Sequence, residues 1–153
     1  MQGYWTGFRR FSEKGSALWL VLALTLATRL ALILILPQQP FSDGAYYMDR
    51  ARDLITLHAY QEEGLPTAFW PPGQSFLYAG AMMLFGPGLA GPLIINLLSA
   101  MLIAWLVVWF GTHVGHNRAG GIIAGLIYAL YPAHIAYTGT VLSETASTAI
   151  SMA

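Results

Sequence analysis

Cysteine is absent from the 153 residues, which excludes a disulfide scaffold, a thiolate metal centre and a cysteine nucleophile. Charge is scarce too: Asp, Glu, Lys and Arg make up 9% of the chain, against about 25% in a soluble domain. The 7 basic and 7 acidic side chains cancel, so no basic face is available to attract nucleic acid. A glycine-rich phosphate loop, a Ser-His-Asp set and paired metal-binding carboxylates are also missing. His113 and His116 form an HxxH pair in a short turn without a third ligand, and we read no metal site there. What remains is apolar: 56% of residues are hydrophobic, the reverse of a disordered chain. The apolar residues fall in long runs, which predict an all-α, polytopic transmembrane helix bundle.

A spanning helix needs about 20 apolar residues. Residues 16–36 form the first such run, preceded by Arg9, Arg10 and Lys14, so residues 1–15 are expected on the cytoplasmic side. The run is longer than a signal-peptide core, contains Arg29 and ends in LPQQP, which points to a retained anchor. Residues 37–90 read as an outer loop, with Asp43, Asp49, Asp53, Glu62 and Glu63 outnumbering Arg50 and Arg52. Within it, Tyr47, Ala51, Leu54, Ile55 and His58 recur at helical spacing, predicting an amphipathic helix over about 44–57 that lies along the membrane surface. Asp49 with Arg52, and Arg50 with Asp53, would support it as i,i+3 pairs. The apolar stretch 74–85, flanked by Pro72-Gly73 and Gly86-Pro87-Gly88, reaches only about 18 Å. It is read as interfacial or re-entrant. Residues 91–111 make the second span, 112–118 a cytoplasmic turn ending in Arg118, and 119–137 the third span. Gly121 and Gly125 give that span a small-xxx-small face. Residues 138–144 then form an outer loop on the side that holds Asp43. Residues 145–153 begin a fourth span with nothing to close it, so the chain is expected to be the N-terminal part of a longer protein.

Four places carry candidate chemistry. Arg29 is a charge in hydrocarbon, costing at least about 2.5–3.5 kcal/mol. It either snorkels outward or faces the interior and pairs with Asp43, Glu144 or a phosphate, which its planar fork suits. Asp43, in PFSDGAYY, is either part of a helix N-cap with Ser42 or a general base at the membrane surface. Trp70-Pro71-Pro72-Gly73 is a stiff elbow able to wall a cavity, and Trp70, Tyr46, Tyr47 and Phe69 also suit an interfacial aromatic belt. Glu144 opens the fourth helix, where a carboxylate favours the helix dipole.

Read in order, an arginine late in the first span, PFSDGAYYMDRARDL, TAFWPPGQSFLYAGAMMLFG and AGLIYALYPAHIAYTGTVLSET resemble the N-terminal part of the polyprenyl-phosphate-dependent GT-C glycosyltransferases. The nearest group is protein-mannosyltransferase-like (glycosyltransferase family 39 and its bacterial RgtA/B/C/D-like relatives). The resemblance implies a multi-pass enzyme, expected in the bacterial inner membrane. It would move a sugar from a polyprenyl-phosphate donor lipid to a hydroxyl of a glycan, lipid or protein acceptor on the extracytoplasmic face, with no cofactor implied and a divalent cation left open. Asp43 would be the general base, with Arg29, Tyr47, Trp70 and Glu144 on the substrates. Two departures stand out. Gly44 follows Asp43 where many relatives have Asp-Glu. Trp70 stands where Arg or Lys often precedes the two prolines, which leaves Arg29 as the better partner for the carrier phosphate. A non-enzymatic transporter or assembly fragment is the alternative from another class, and an inactive truncated glycosyltransferase a third.

Overall fold

The computed structural model describes residues 15–67 and 69–153; the basic residues Arg9, Arg10 and Lys14, on which the cytoplasmic assignment of the N-terminus rests, lie outside them. The chain is mostly helical. Helix α1 (Gly15–Ile35) is followed by α2 (Asp43–Thr56), a two-stranded hairpin of β1 (Gln61–Glu62) and β2 (Leu65–Pro66), α3 (Gly73–Phe85), α4 (Ala90–His113), α5 (Arg118–Leu130), α6 (Pro132–Gly139) and α7 (Glu144–Met152). Helices α1 and α4 are long and apolar enough to cross a membrane. At 13 residues, α3 reaches about 20 Å, short of the roughly 30 Å of hydrocarbon.

One expected element is corrected. The third apolar run does not form a single helix over 119–137: it breaks at Tyr131, and α5 and α6 meet at a bend of 54°. The cause is Pro132, which has no N–H for the Tyr128 carbonyl one turn back and forces the residue before it out of the helical region. Tyr131 accordingly has φ −71° and ψ 117°.

The bundle is built on α1, α4 and α5, with a core that includes Ala17, Val21, Ala104, Val108 and Ile122. Gly121 and Gly125 mark its closest contacts, as their spacing suggests. A Cβ on Gly121 would sit 2.7 Å from the Val108 carbonyl oxygen of α4, and one on Gly125 would sit 2.6 Å from a Val108 methyl and 2.9 Å from Val21 of α1. Only hydrogen fits between these helices. Asn117 caps α5 by accepting from the Gly120 N–H at 3.1 Å.

A second core joins α2 to α3, through Tyr47, Met48 and Ala51 on one side and Tyr78, Ala79 and Met82 on the other. The amphipathic face of α2 is covered by α3. His58, counted on that face by spacing, falls beyond the helix end in a left-handed conformation, φ 54°. The two expected ion pairs form, Arg52 to Asp49 at 2.9 Å and Arg50 to Asp53 at 3.1 Å. The hairpin carries no apolar period and was not expected; positive φ at Glu63 and Gly64, 51° and 83°, gives the tight two-residue turn that closes such a ribbon.

Candidate functional site

Arg29 is fully buried, so it faces the interior and does not snorkel. Its partners are not acids. Nη1 donates to the Ala129 carbonyl at 3.1 Å and Nη2 to the Tyr128 carbonyl at 3.3 Å, while the guanidinium carbon lies 4.7 Å from the Tyr128 ring centroid. The reason lies in the break after α5. This helix has 13 residues, about 20 Å, and its last carbonyls lose their onward N–H partners at Pro132. An unsatisfied carbonyl in an apolar interior is expensive, and a cation at a helix C-terminus is favoured by the dipole. Arg29 caps α5 from the neighbouring helix, assisted by the Thr28 hydroxyl 3.1 Å from the Ala129 carbonyl. One guanidinium donor, Nε, has no hydrogen-bond partner, as is true of the Thr25 hydroxyl one turn before it.

Asp43 is the first residue of α2 and is half-buried. Ser42 occupies the N-cap position without making a side-chain cap; its hydroxyl donates instead to Asp43 Oδ1 at 3.0 Å. Ser42 takes φ 49°, a strained backbone for a residue with a Cβ. Capping therefore does not occupy the Asp43 carboxylate, whose hydrogen-bond partner among the described residues is that hydroxyl. Beside it, a Cβ on Gly44 would sit 2.9 Å from the Val141 carbonyl oxygen and 3.1 Å from that of Thr140. The start of α2 is thus seated on the backbone of the segment that leads into Glu144.

A buried polar chain holds that segment in place. The Tyr78 hydroxyl of α3 lies 3.1 Å from the Leu142 carbonyl and 3.4 Å from Asn96 Oδ1, and Asn96 of α4 donates to the Thr138 carbonyl at 3.2 Å. Thr138 and Leu142 flank the turn after α6, where carbonyls have run out of helical partners. Nothing in the sequence reading singled out Tyr78 or Asn96. The available signal was Asn96, a lone amide in an apolar run, since polar groups in such helices face inward.

The elbow is anchored as well. Tyr60 donates its hydroxyl to the Trp70 carbonyl at 3.1 Å and stacks on Phe76 with centroids 6.4 Å apart. Burial pushes the Tyr60 phenol above its ordinary pKa. The Trp70 ring meets Tyr47 edge-on at 6.5 Å. Beyond them opens a groove of about 460 Å³, walled by Tyr47, Pro71, Gly73 and Gln74 on one side and Ser143 and Ser147 on the other. Gln74 Nε2 is buried without a hydrogen-bond partner.

The candidate residues thus divide into two groups. Tyr47 and the elbow share the groove, with Asp43 one helical turn before Tyr47. Arg29 belongs with Tyr128, which joins His134, Tyr137 and Glu144 around a smaller cavity of about 90 Å³. Glu144 is exposed and stands at the boundary, its neighbour Ser143 lining the groove. Among the described residues no group of three or more His, Cys, Asp or Glu side chains is placed to hold a metal ion. No protein-family model, curated protein or solved structure matches the chain.

Proposed function

We propose that this chain is part of a membrane glycosyltransferase of the GT-C type, taking a sugar from a polyprenyl phosphate to an acceptor hydroxyl on the extracytoplasmic face. In this reading α1, α4 and the bent α5–α6 pair cross the bilayer, and α2, the hairpin and α3 form the outer loop. The single observation that carries it is the seating of Gly44 on the Thr140 and Val141 carbonyls. It brings the start of α2 against the segment that leads into Glu144, and a groove with room for a sugar is lined by Tyr47 of that helix and Ser143 of that segment.

The chemistry needs little more. The acceptor oxygen bonds to the anomeric carbon as its proton passes to the Asp43 carboxylate. The bond from that carbon to the carrier phosphate breaks, and the electron pair leaves with the phosphate. Such a base contributes about 10²–10⁴-fold. Arg29 serves indirectly, by capping the break before α6 and so holding the segment that ends at Glu144; its fork is already committed to carbonyls.

Deletion of the gene followed by mass spectrometry of lipid extracts tests the reading. A polyprenyl-phosphate sugar should accumulate, and restoring the gene with Asp43→Asn should leave it accumulated at normal protein levels. Transfer retained by Asp43→Asn refutes the base. A broken helix also favours a second reading, a non-enzymatic transport module, and an unchanged lipid-linked sugar pool would support that one instead.

A further inference from the structure

The groove between the elbow and α7 has a neutral lining. Among the described residues that wall it, Gln74 and Ser147 are polar, Pro71, Leu77 and Ile150 are apolar, and none is charged. Ser147 donates its hydroxyl to the Glu144 carbonyl at 3.2 Å, which leaves its oxygen as an acceptor. Gln74, on the opposite wall, offers the converse. Its side chain lies beside the Tyr78 hydroxyl, yet Nε2 is buried without a hydrogen-bond partner, a costly state for an amide donor. The charges on the flanking helices are not basic in balance. Arg50 and Arg52 of α2 are paired with Asp53 and Asp49, whereas Asp43 and Glu144 open the two helices that contribute Tyr47 and Ser147.

We propose that this groove takes an uncharged sugar and turns away a sugar acid, with Gln74 as the specificity-determining contact. The proposal rests on the glycosyltransferase reading for the occupant being a sugar. A sugar hydroxyl both donates and accepts, so it gives Gln74 Nε2 the acceptor it lacks and can donate to Ser147, while the C–H face of the ring packs on Leu77 and Ile150. A carboxylate brought to the same place would lose water without meeting a counter-charge. It would also face like charge from the starts of α2 and α7, so the selection works by exclusion as well as by attraction.

Saturation-transfer NMR on the full chain in phosphatidylcholine nanodiscs, titrated with methyl glucoside or methyl glucuronide, tests it. The glucoside should bind about tenfold more tightly than the glucuronide. Gln74→Met keeps the shape and removes the amide, and should weaken glucoside binding about fivefold. Ser147→Lys, at an exposed position on the other wall, places a cation in the groove and should bring the glucuronide level with the glucoside or above it. Equal or tighter binding of the glucuronide by the unaltered protein overturns the proposal, as does binding of neither glycoside, even if Gln74→Met fails to fold. Glucoside binding unchanged in Gln74→Met removes that residue from the contact, and a ratio unchanged in Ser147→Lys places the sugar outside the groove. The lipid extracts of the deletion strain separate this proposal from the reading beneath it. An accumulated polyprenyl-phosphate uronate would keep the transferase and overturn the selection. An unchanged lipid-linked pool would refute transfer, while a glucoside preference would still uphold the selection.

Discussion

Two residues define how this molecule is held. Arg29 exchanges hydration for two backbone carbonyls that Pro132 has left unpaired. Arg29→Leu should therefore cost about 1–3 kcal/mol for the Tyr128 carbonyl alone. Pro132→Ala returns an N–H to that carbonyl, so the double variant should recover part of the loss. Thermal unfolding of the four proteins in detergent measures this coupling; an Arg29→Leu protein as stable as its parent would contradict the capping role. Gly44 is the complementary case. Its missing side chain lets α2 touch the carbonyls of Thr140 and Val141, and backbone cannot swing aside as a side chain can. Gly44→Val should destabilise by about 1–3 kcal/mol through overpacking and should reduce transfer along with stability. The sequence showed that a buried arginine needs a partner, but not which one. The partner is almost a hundred residues away, and a carbonyl oxygen has no identity in a sequence.

At the scale of elements, the lengths of the apolar runs located α1, α3 and α4, because the cost of exposing apolar surface depends on length and composition. They did not reveal the break between α5 and α6. Hydropathy passes through Pro132 unchanged, and only its missing N–H and its constraint on Tyr131 distinguish it. The hairpin at 61–66 stayed hidden for the opposite reason: strands of two residues have no period to read. The seating of the 138–142 segment on α3 and α4 rests on Tyr78 and Asn96. Tyr78→Phe or Asn96→Ala should each cost about 0.6–1.7 kcal/mol, the range for buried polar contacts between membrane helices. Hydrogen exchange near Leu142 should rise in both. Unchanged exchange there would mean that the segment is held by other contacts.

For the molecule as a whole, the absence of cysteine from these 153 residues makes sidedness easy to measure, since an introduced thiol is the only one among them. Single cysteines at positions 43, 57, 87 and 140 should all label from one face of sealed vesicles, and one at 115 from the other. A split between 43 and 140 would separate the candidate base from the segment leading to Glu144 and end the proposed active site. Counting spans led to the expectation that Asp43 and Glu144 share one side, and the contact of Gly44 with the Thr140 and Val141 backbone fits that expectation. The division of the candidate residues between groove and smaller cavity was not legible, because it depends on which way α6 turns at its bend. That bend has a further effect on the surroundings. Helix α1, at 21 residues, presents an apolar height of about 32 Å, whereas its neighbour α5, at 13, presents about 20 Å. On the proposed reading, in which the bent α5–α6 pair crosses the bilayer, lipids bordering the two would meet a wall that changes direction at the bend, and the leaflet beside Leu130 and Tyr131 would tilt or compress to follow it. Bilayer thickness would thereby become a mechanical load on the bend, and acyl-chain length a variable for reconstitution to control.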